Sequence, residues 1–427
     1  MGQHYIIREF DSFTSNVQIP GSSYTSLPEK TFNNLEMFIL ANRSNVETDA
    51  IELMTISSRR GIGKIISAKN YVGLITMNDG TQIEILPKIY STKSIDEAMT
   101  RQIFLNMLET VKEIPYKKFT VSNVDAKHMN IFEVFIRMFI EEIFSILKGG
   151  LKATYLPTTE NEKFLKGKII FPQHIKNNYV HQEKFFVQYD IFDTNRPENR
   201  LIKSTIRLLH RKTTNIRNKR DLSVLLASFD GIDYSANYKN DFSQHIKNRN
   251  IKEYETAMSW CRVFLFNRSF TAFAGSEVAF ALLFPMELLF ESYVAAKLKQ
   301  KLDKTSFSMT TQDKTYHLFD YPSKKFCIRP DIVIAKKADG SIKVLDTKWK
   351  LLSANVVNLG ISQSDMYQMY AYSKKYEAKA AILLYPLNEA VKPIIDEPTY
   401  ISKDGVTVKV MFIDLTDIDE SISKVLL

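Results

Sequence analysis

Cysteine is scarce. The two residues present, Cys261 and Cys327, stand far apart with no CxxC pair. That rules out a four-cysteine iron–sulfur cluster, gives no support to a disulfide framework or cysteine zinc site, and fits a reducing compartment. The seven histidines are scattered without an HExxH pair. Long apolar runs are missing too: the most apolar stretch, 279–290, contains Pro285 and Glu287 and is too short to span a bilayer. The opening MGQHYIIREFD has no basic segment followed by an apolar one, and acids interrupt it early. A soluble, cytoplasmic protein with no membrane contact is expected. There is also no GxxxxGK[ST]. Gly61-Ile62-Gly63-Lys64 comes nearest, but Ser58 replaces the earlier glycine and Ile65 the hydroxyl residue, so it cannot cradle phosphates as a P-loop does.

What is present indicates a globular protein of two or three domains: 427 residues, 44% hydrophobic and 25% charged, with 28 Phe and 20 Tyr to build cores. Lys and Arg exceed Asp and Glu by 9, an excess that suits a polyanionic partner without proving one.

The first 120 residues read as β-rich. A strand is expected over 51–56. Two more, Tyr71–Met77 and 81–86, flank Asn78-Asp79-Gly80, a hairpin turn signal because glycine accepts positive φ. Phe132, Phe135, Ile136, Phe139, Ile140 and Ile143 then take helical spacing until Gly149-Gly150 stops the run. Residues 151–195 look mixed and loop-rich. The basic helical stretch 196–220 carries Arg200, Lys203, Arg207, Arg211, Lys212, Arg217, Lys219 and Arg220 against Glu198. Two readings stand for it, a solvated helix face and a phosphate-contacting surface. From 276 the expected order is helix, strand, strand, helix, strand: Pro285 near a helix start, strands over 326–336 and 341–350 around Ala338-Asp339-Gly340, a helix over 363–376 and a buried strand over 380–385. The expected division is 1–150, a β-rich domain ending in a helix; 151–275, helical and basic; and 276–427, a C-terminal α/β domain. The fold class is α+β multidomain.

The last segment holds the chemistry. Arg329-Pro330-Asp331-Ile332-Val333-Ile334 leads through the turn to Val344-Leu345-Asp346-Thr347-Lys348. Because strand side chains alternate, Asp346 and Lys348 share a face, and pairing across the turn lets Asp331 approach them. Two carboxylates near a carbonyl form a hard oxygen site of the kind Mg²⁺ accepts, with Mn²⁺ as a substitute. An adjacent ammonium can orient an attacking water, which together is what phosphodiester cleavage requires. A bare [DE]xK is uninformative, since Asp125-Ala126-Lys127 and Glu377-Ala378-Lys379 also match. Only the third match ends an apolar strand and follows the sole Pro-Asp pair, where uncompensated charge is costly. On the preceding helix Glu287 and Glu291, four apart, are candidates for a further metal ligand, with surface i,i+4 acids as the other reading. On the following helix Gln368 and Tyr372, with Asp365 one turn earlier, are placed to hold a phosphate or the catalytic strand; a helix that uses Tyr and Met in its core is the alternative.

At these residues the chain resembles a known family. RPDIVIA and LDTKWK followed by DMYQMYAY look like the PD-(D/E)xK (restriction-endonuclease-like) nuclease domain of McrC, the cleaving subunit of McrBC-type restriction systems. LFESYVAAKL, with Glu291, resembles the McrC helix ahead of the hairpin, and YVGLITMNDGTQIEILPKI its β-rich start. Gln368 and Tyr372 resemble the QxxxY motif of RecB and Cas4 nucleases. The resemblance implies a DNA endonuclease with Asp331, Asp346 and Glu291 at Mg²⁺, Lys348 serving the water, and Gln368 with Tyr372 ordering the site. It also implies an AAA+ GTPase partner, in hexameric rings, which residues 1–150 dock against and stimulate. A non-catalytic DNA-binding activator and a stand-alone RecB- or Cas4-like exonuclease are the competing readings.

Overall fold

The turn signal at 78–80 corresponds to a reversal: Tyr71–Met77 and Gln82–Leu86 pair antiparallel, Gly80 sits at φ 87°, and the Thr81 N–H caps Asp79 Oδ1 at 2.8 Å. The computed structural model describes residues 3–15, 24–41, 53–77, 79–89, 97–111, 130–247, 252–266, 278–388, 390–391 and 398–426. Asn78, Asp125 to Lys127 and the first residues of the expected 51–56 strand lie outside them; the strand found there is Met54–Arg59. The architecture is mixed α/β and multidomain, in two compact units: residues 1–131 with 268–427, and residues 132–267. Among the described residues no helix is long and apolar enough to cross a membrane.

The first unit contains two four-stranded sheets near its start. One runs His4–Arg8, Gln82–Leu86, Tyr71–Met77, Val278–Pro285; the other Tyr24–Leu27, Ser12–Ser15, Gly63–Ala68, Met54–Arg59. Every side chain of Tyr71–Met77 is buried. Gly73, at φ 136°, has no room for a side chain, because a Cβ would fall 2.0 Å from the Leu282 carbonyl oxygen of the neighbouring strand. Ala281 and Leu283 share one apolar core with Ile7, Phe13, Phe32 and Ile75. The sequence suggests helix from 276, whereas Val278–Pro285 is a strand and the helix Met286–Lys301 begins after Pro285. Helices Glu29–Ala41 and Glu97–Leu108 interrupt the β-rich start.

The rest of this unit is built on a six-stranded sheet in the order Phe307–Thr311, Ile332–Lys336, Ile342–Thr347, Ala380–Pro386, Thr407–Ile413, Thr399–Ile401. Ile342–Thr347 is antiparallel to Ile332–Lys336, with Ile332 opposite Leu345, and parallel to Ala380–Pro386, with Asp346 opposite Leu383. This interior position explains why its apolar residues face both ways. Helix Gln363–Lys375 packs on the sheet through Met369, Tyr372 and Tyr376, against Val333, Val344 and Leu383. The expected strand over 326–336 is broken. Lys325–Cys327 belongs to a separate hairpin with His317–Phe319, and Pro330, which has no N–H for a ladder, precedes Ile332–Lys336.

In the second unit, residues 151–195 are more ordered than their composition suggests. Thr154–Glu162, Phe185–Asp193 and Lys168–Ile169 form an antiparallel sheet beside helix Phe171–Asn178. Helices Ile131–Gly149, Pro197–Lys212, Ile216–Ser228, Tyr238–Lys247 and Glu255–Phe266 make up the rest. The buried Glu133 carboxylate accepts from Thr213 Oγ1, Thr214 N, Asn215 N and Asn218 Nδ2, tying the turn between two helices to a third. Part of the basic stretch is structural: Arg200 pairs with Asp241 at 2.7 Å, Lys203 is buried with its ammonium on the Ile232 carbonyl, and Arg207 lies over the Tyr234 ring. Arg211, Arg217 and Lys219 are exposed.

Candidate active site

Asp346 lies near the end of an interior strand, buried, and Lys348 follows where the strand stops. The Lys348 backbone N–H is held by the Leu384 carbonyl at 2.9 Å, so the chain leaves the sheet in a fixed direction. Lys348 Nζ lies 2.7 Å from Asp346 Oδ2 and donates to Gln368 Oε1 at 3.0 Å. Gln368 Nε2 donates to the Tyr372 hydroxyl at 2.6 Å, which donates to the Arg329 carbonyl at 3.0 Å. Spaced four apart on one helix, Gln368 and Tyr372 thus connect the lysine to the segment that presents Asp331.

Asp331 is fixed from the other side. Its Oδ2 accepts from both the backbone N–H and the hydroxyl of Thr347, each at 2.7 Å. Its Oδ1 accepts from Gln312 Nε2 at 3.2 Å, and the same amide nitrogen donates to Glu291 Oε1 at 2.5 Å. The amide therefore bridges the two carboxylates. Glu287 is directed elsewhere, accepting from Asn70 Nδ2.

The electrostatics follow from burial. Burial drives the Asp346 carboxyl up to about 7, with the Asp331 charge adding to the rise and Lys348 opposing it. Asp331 is also raised, chiefly by burial, against the Thr347 hydrogen bonds. Burial works to lower the Lys348 ammonium, but the carboxylates of Asp346, Asp331 and Asp365 together outweigh it, and the group is raised. Two acids that resist ionisation beside one another are the arrangement a divalent cation relieves.

Among the described residues no group of three or more His, Cys, Asp or Glu side chains is gathered as a metal cluster. The donor chemistry nonetheless fits a hard ion. Asp346 Oδ2 is buried and meets Lys348 as an ion pair without an aligned hydrogen bond, which leaves lone-pair capacity, and Asp331 Oδ1 and Glu291 Oε1 share one neutral amide donor. The sequence motifs thus come together in space: Asp331, Asp346, Lys348, Gln368 and Tyr372 in one network, Glu291 joined to it through Gln312. Gln312 and Thr347 were not singled out from sequence. Thr347 is the middle residue of the DxK triplet and signals itself by that position, whereas Gln312 has no spacing to betray it.

The fold and site define a multidomain α/β protein with a two-acid, one-lysine centre at the end of an interior strand. A family model described as "McrBC 5-methylcytosine restriction system component" matches residues 66–386, three quarters of the chain. The chain belongs to this family. Its fold is similar to a chain in the refined half-complex from a tetradecameric assembly of Thermococcus gammatolerans McrB AAA+ hexamers with bound McrC, at 18% identity and a TM-score of 0.72 over 99% of this chain and 100% of that one. A chain of the Thermococcus gammatolerans McrBC complex solved by cryo-EM matches at 20% identity and a TM-score of 0.52, over 71% of this chain and 89% of that one. No curated protein matches.

Proposed function

We propose that the chain is the DNA-cleaving subunit of an McrBC-type restriction system, a Mg²⁺-dependent endonuclease of the PD-(D/E)xK kind that works with an AAA+ GTPase. The observation that carries this reading is the joined set Asp331, Asp346 and Lys348, held by Thr347, Gln368 and Tyr372. Membership of a restriction-system family supports it, as does a fold similar to chains from assemblies of McrB AAA+ hexamers with bound McrC. The sequence carries no GxxxxGK[ST], which supports a reading in which the partner hydrolyses the nucleotide.

Asp331 and Asp346 would hold the ion, with Glu291, joined to Asp331 through the Gln312 amide, supporting it. When bound, Mg²⁺ neutralises the phosphoryl oxygens and lowers the barrier to attack. Lys348, anchored by Gln368, donates to the incoming water and fixes its line of approach. Gln368 and Tyr372 keep the ammonium in place, and burial of Asp346 keeps bulk water from screening these charges.

Plasmid cleavage by the chain, reconstituted with its AAA+ partner and GTP, tests the metal. Cleavage is expected with Mg²⁺ or Mn²⁺ and is expected to stop with EDTA, while Ca²⁺ supports binding without turnover. Undiminished cutting in EDTA would remove the metal from the reading.

A further inference from the structure

The segment from Gln312 to Asp331 is tied to the acidic centre at both ends. Between them a short antiparallel hairpin, His317–Phe319 against Lys325–Cys327, stands apart from the six-stranded sheet. Its root is fixed. The Tyr316 ring meets Tyr376 edge-on at 4.6 Å, the Tyr376 hydroxyl donates to Asp313 Oδ1, and buried Ile328 donates its N–H to the Tyr316 carbonyl at 3.0 Å.

The tip is different. Phe319 is 59% exposed, Phe326 70% and Tyr321 89%, and the two phenyl rings stand edge to face 6.0 Å apart. Phe326 sits at φ 56°, a region that residues other than glycine rarely enter. Lys314, Lys324, Lys325 and Arg329 are all exposed along the same segment. Apart from Asp331 at its end, its acids are engaged, Asp313 with the Tyr376 hydroxyl and Asp320 with Lys375 at 3.4 Å. The surface is therefore aromatic and positive together. A protein-docking face would be depleted in lysine. Rings interleaved with cations suit unpaired nucleic acid, whose bases stack on the rings while its phosphates meet the ammonium groups.

We infer that the 313–328 hairpin grips DNA beside the acidic centre, stacking Phe319, Phe326 and Tyr321 on unpaired bases with Lys324 and Lys325 on the adjoining phosphates. The inference rests on the nuclease reading and deepens it: the strand presented for cutting is locally unpaired.

The test is fluorescence anisotropy of the full-length chain, with Ca²⁺ in place of Mg²⁺, on a paired duplex and on the same duplex carrying a short mismatched bubble. The wild-type chain should prefer the bubble. Phe319→Ala with Phe326→Ala should weaken bubble binding roughly tenfold per stacked base lost and leave the paired duplex nearly unchanged. Phe319→Tyr with Phe326→Tyr should retain the preference, which separates lost stacking from lost folding. Lys324→Ala with Lys325→Ala should weaken both DNAs and flatten the salt dependence. No bubble preference in the wild type, or an unchanged preference in the double alanine variant, would overturn the inference. So would a loss of partner-GTPase stimulation in that variant with bubble affinity intact, since the hairpin would then be a protein-docking surface. Cutting by Asp346→Ala at the wild-type rate would overturn the nuclease reading instead, and would leave the bubble result standing.

Discussion

Trp349 donates its indole N–H to the buried carboxyl of Glu9 at 3.0 Å, so the residue after Lys348 is anchored near the beginning of the chain. Glu9 also accepts the Lys88 N–H at 2.9 Å, and the indole packs against Phe290 at 5.4 Å. The exit of the Asp346 strand is thus fixed from the N-terminal sheet, within one compact unit.

That anchor gives a pH signature. Burial raises the Glu9 carboxyl from 4.5 to about 8 against the hydrogen bonds from Lys88 and Trp349, with nearby Glu287 adding to the rise. A carboxyl raised on folding contributes stability that is complete below its unfolded value and is lost as pH rises through the folded one. Glu9→Gln keeps one acceptor and turns an amide donor toward a second donor, a cost of roughly 1–3 kcal/mol at low pH. Calorimetry should show the wild type's melting temperature falling relative to the variant's as pH rises from about 5 to about 9, so that the gap narrows and then reverses. A gap independent of pH would contradict the shifted carboxyl.

Gln312 gives the second prediction. Its amide bridges Asp331 and Glu291 without being an ion ligand itself. Gln312→Ala should disturb how those carboxylates are presented and lower metal affinity or cleavage by roughly 10- to 100-fold. Titrating Mg²⁺ against cleavage rate reads this as a higher half-saturating concentration. An unchanged titration would make the bridge incidental.

Tyr372→Phe tests the chain of hydrogen bonds behind Lys348. Losing the hydroxyl frees the Gln368 amide and leaves the Arg329 carbonyl without its donor. Maximal cleavage should fall by up to about 100-fold, because the ammonium is no longer aimed, with the Mg²⁺ requirement unchanged. A shift in the metal requirement at constant maximal rate would instead place Tyr372 on the metal side.

The site was legible in sequence to the extent that it obeys local periodicities. Asp346 and Lys348 share a face because strands alternate, and Gln368 aligns with Tyr372 because helices repeat every 3.6 residues. The strand at 278–285 was not legible. Its apolar run is as compatible with helix as with strand, and only pairing with Tyr71–Met77, more than 200 positions earlier, decides the matter. A separation of 340 positions likewise hides the Glu9–Trp349 bond, and the Gln312 bridge, 21 and 19 positions long, fits no helix or strand repeat. Pro330 and the positive φ of Phe326 divide a segment whose β-propensity alone favours one strand. In the basic helix, composition could not separate Arg200 and Lys203, used in packing, from the exposed Arg211 and Arg217.

The central claim is that phosphodiester cleavage depends on Asp346, and one reconstitution tests it most directly. The Asp346→Ala chain is combined with the AAA+ partner, and plasmid cleavage and GTP turnover are measured on the same complexes. Cleavage should be abolished while GTP turnover stays near that of the wild type, with Lys348→Ala matching it and Asp331→Asn falling between. Wild-type cutting by Asp346→Ala would put the nuclease centre elsewhere and contradict the account.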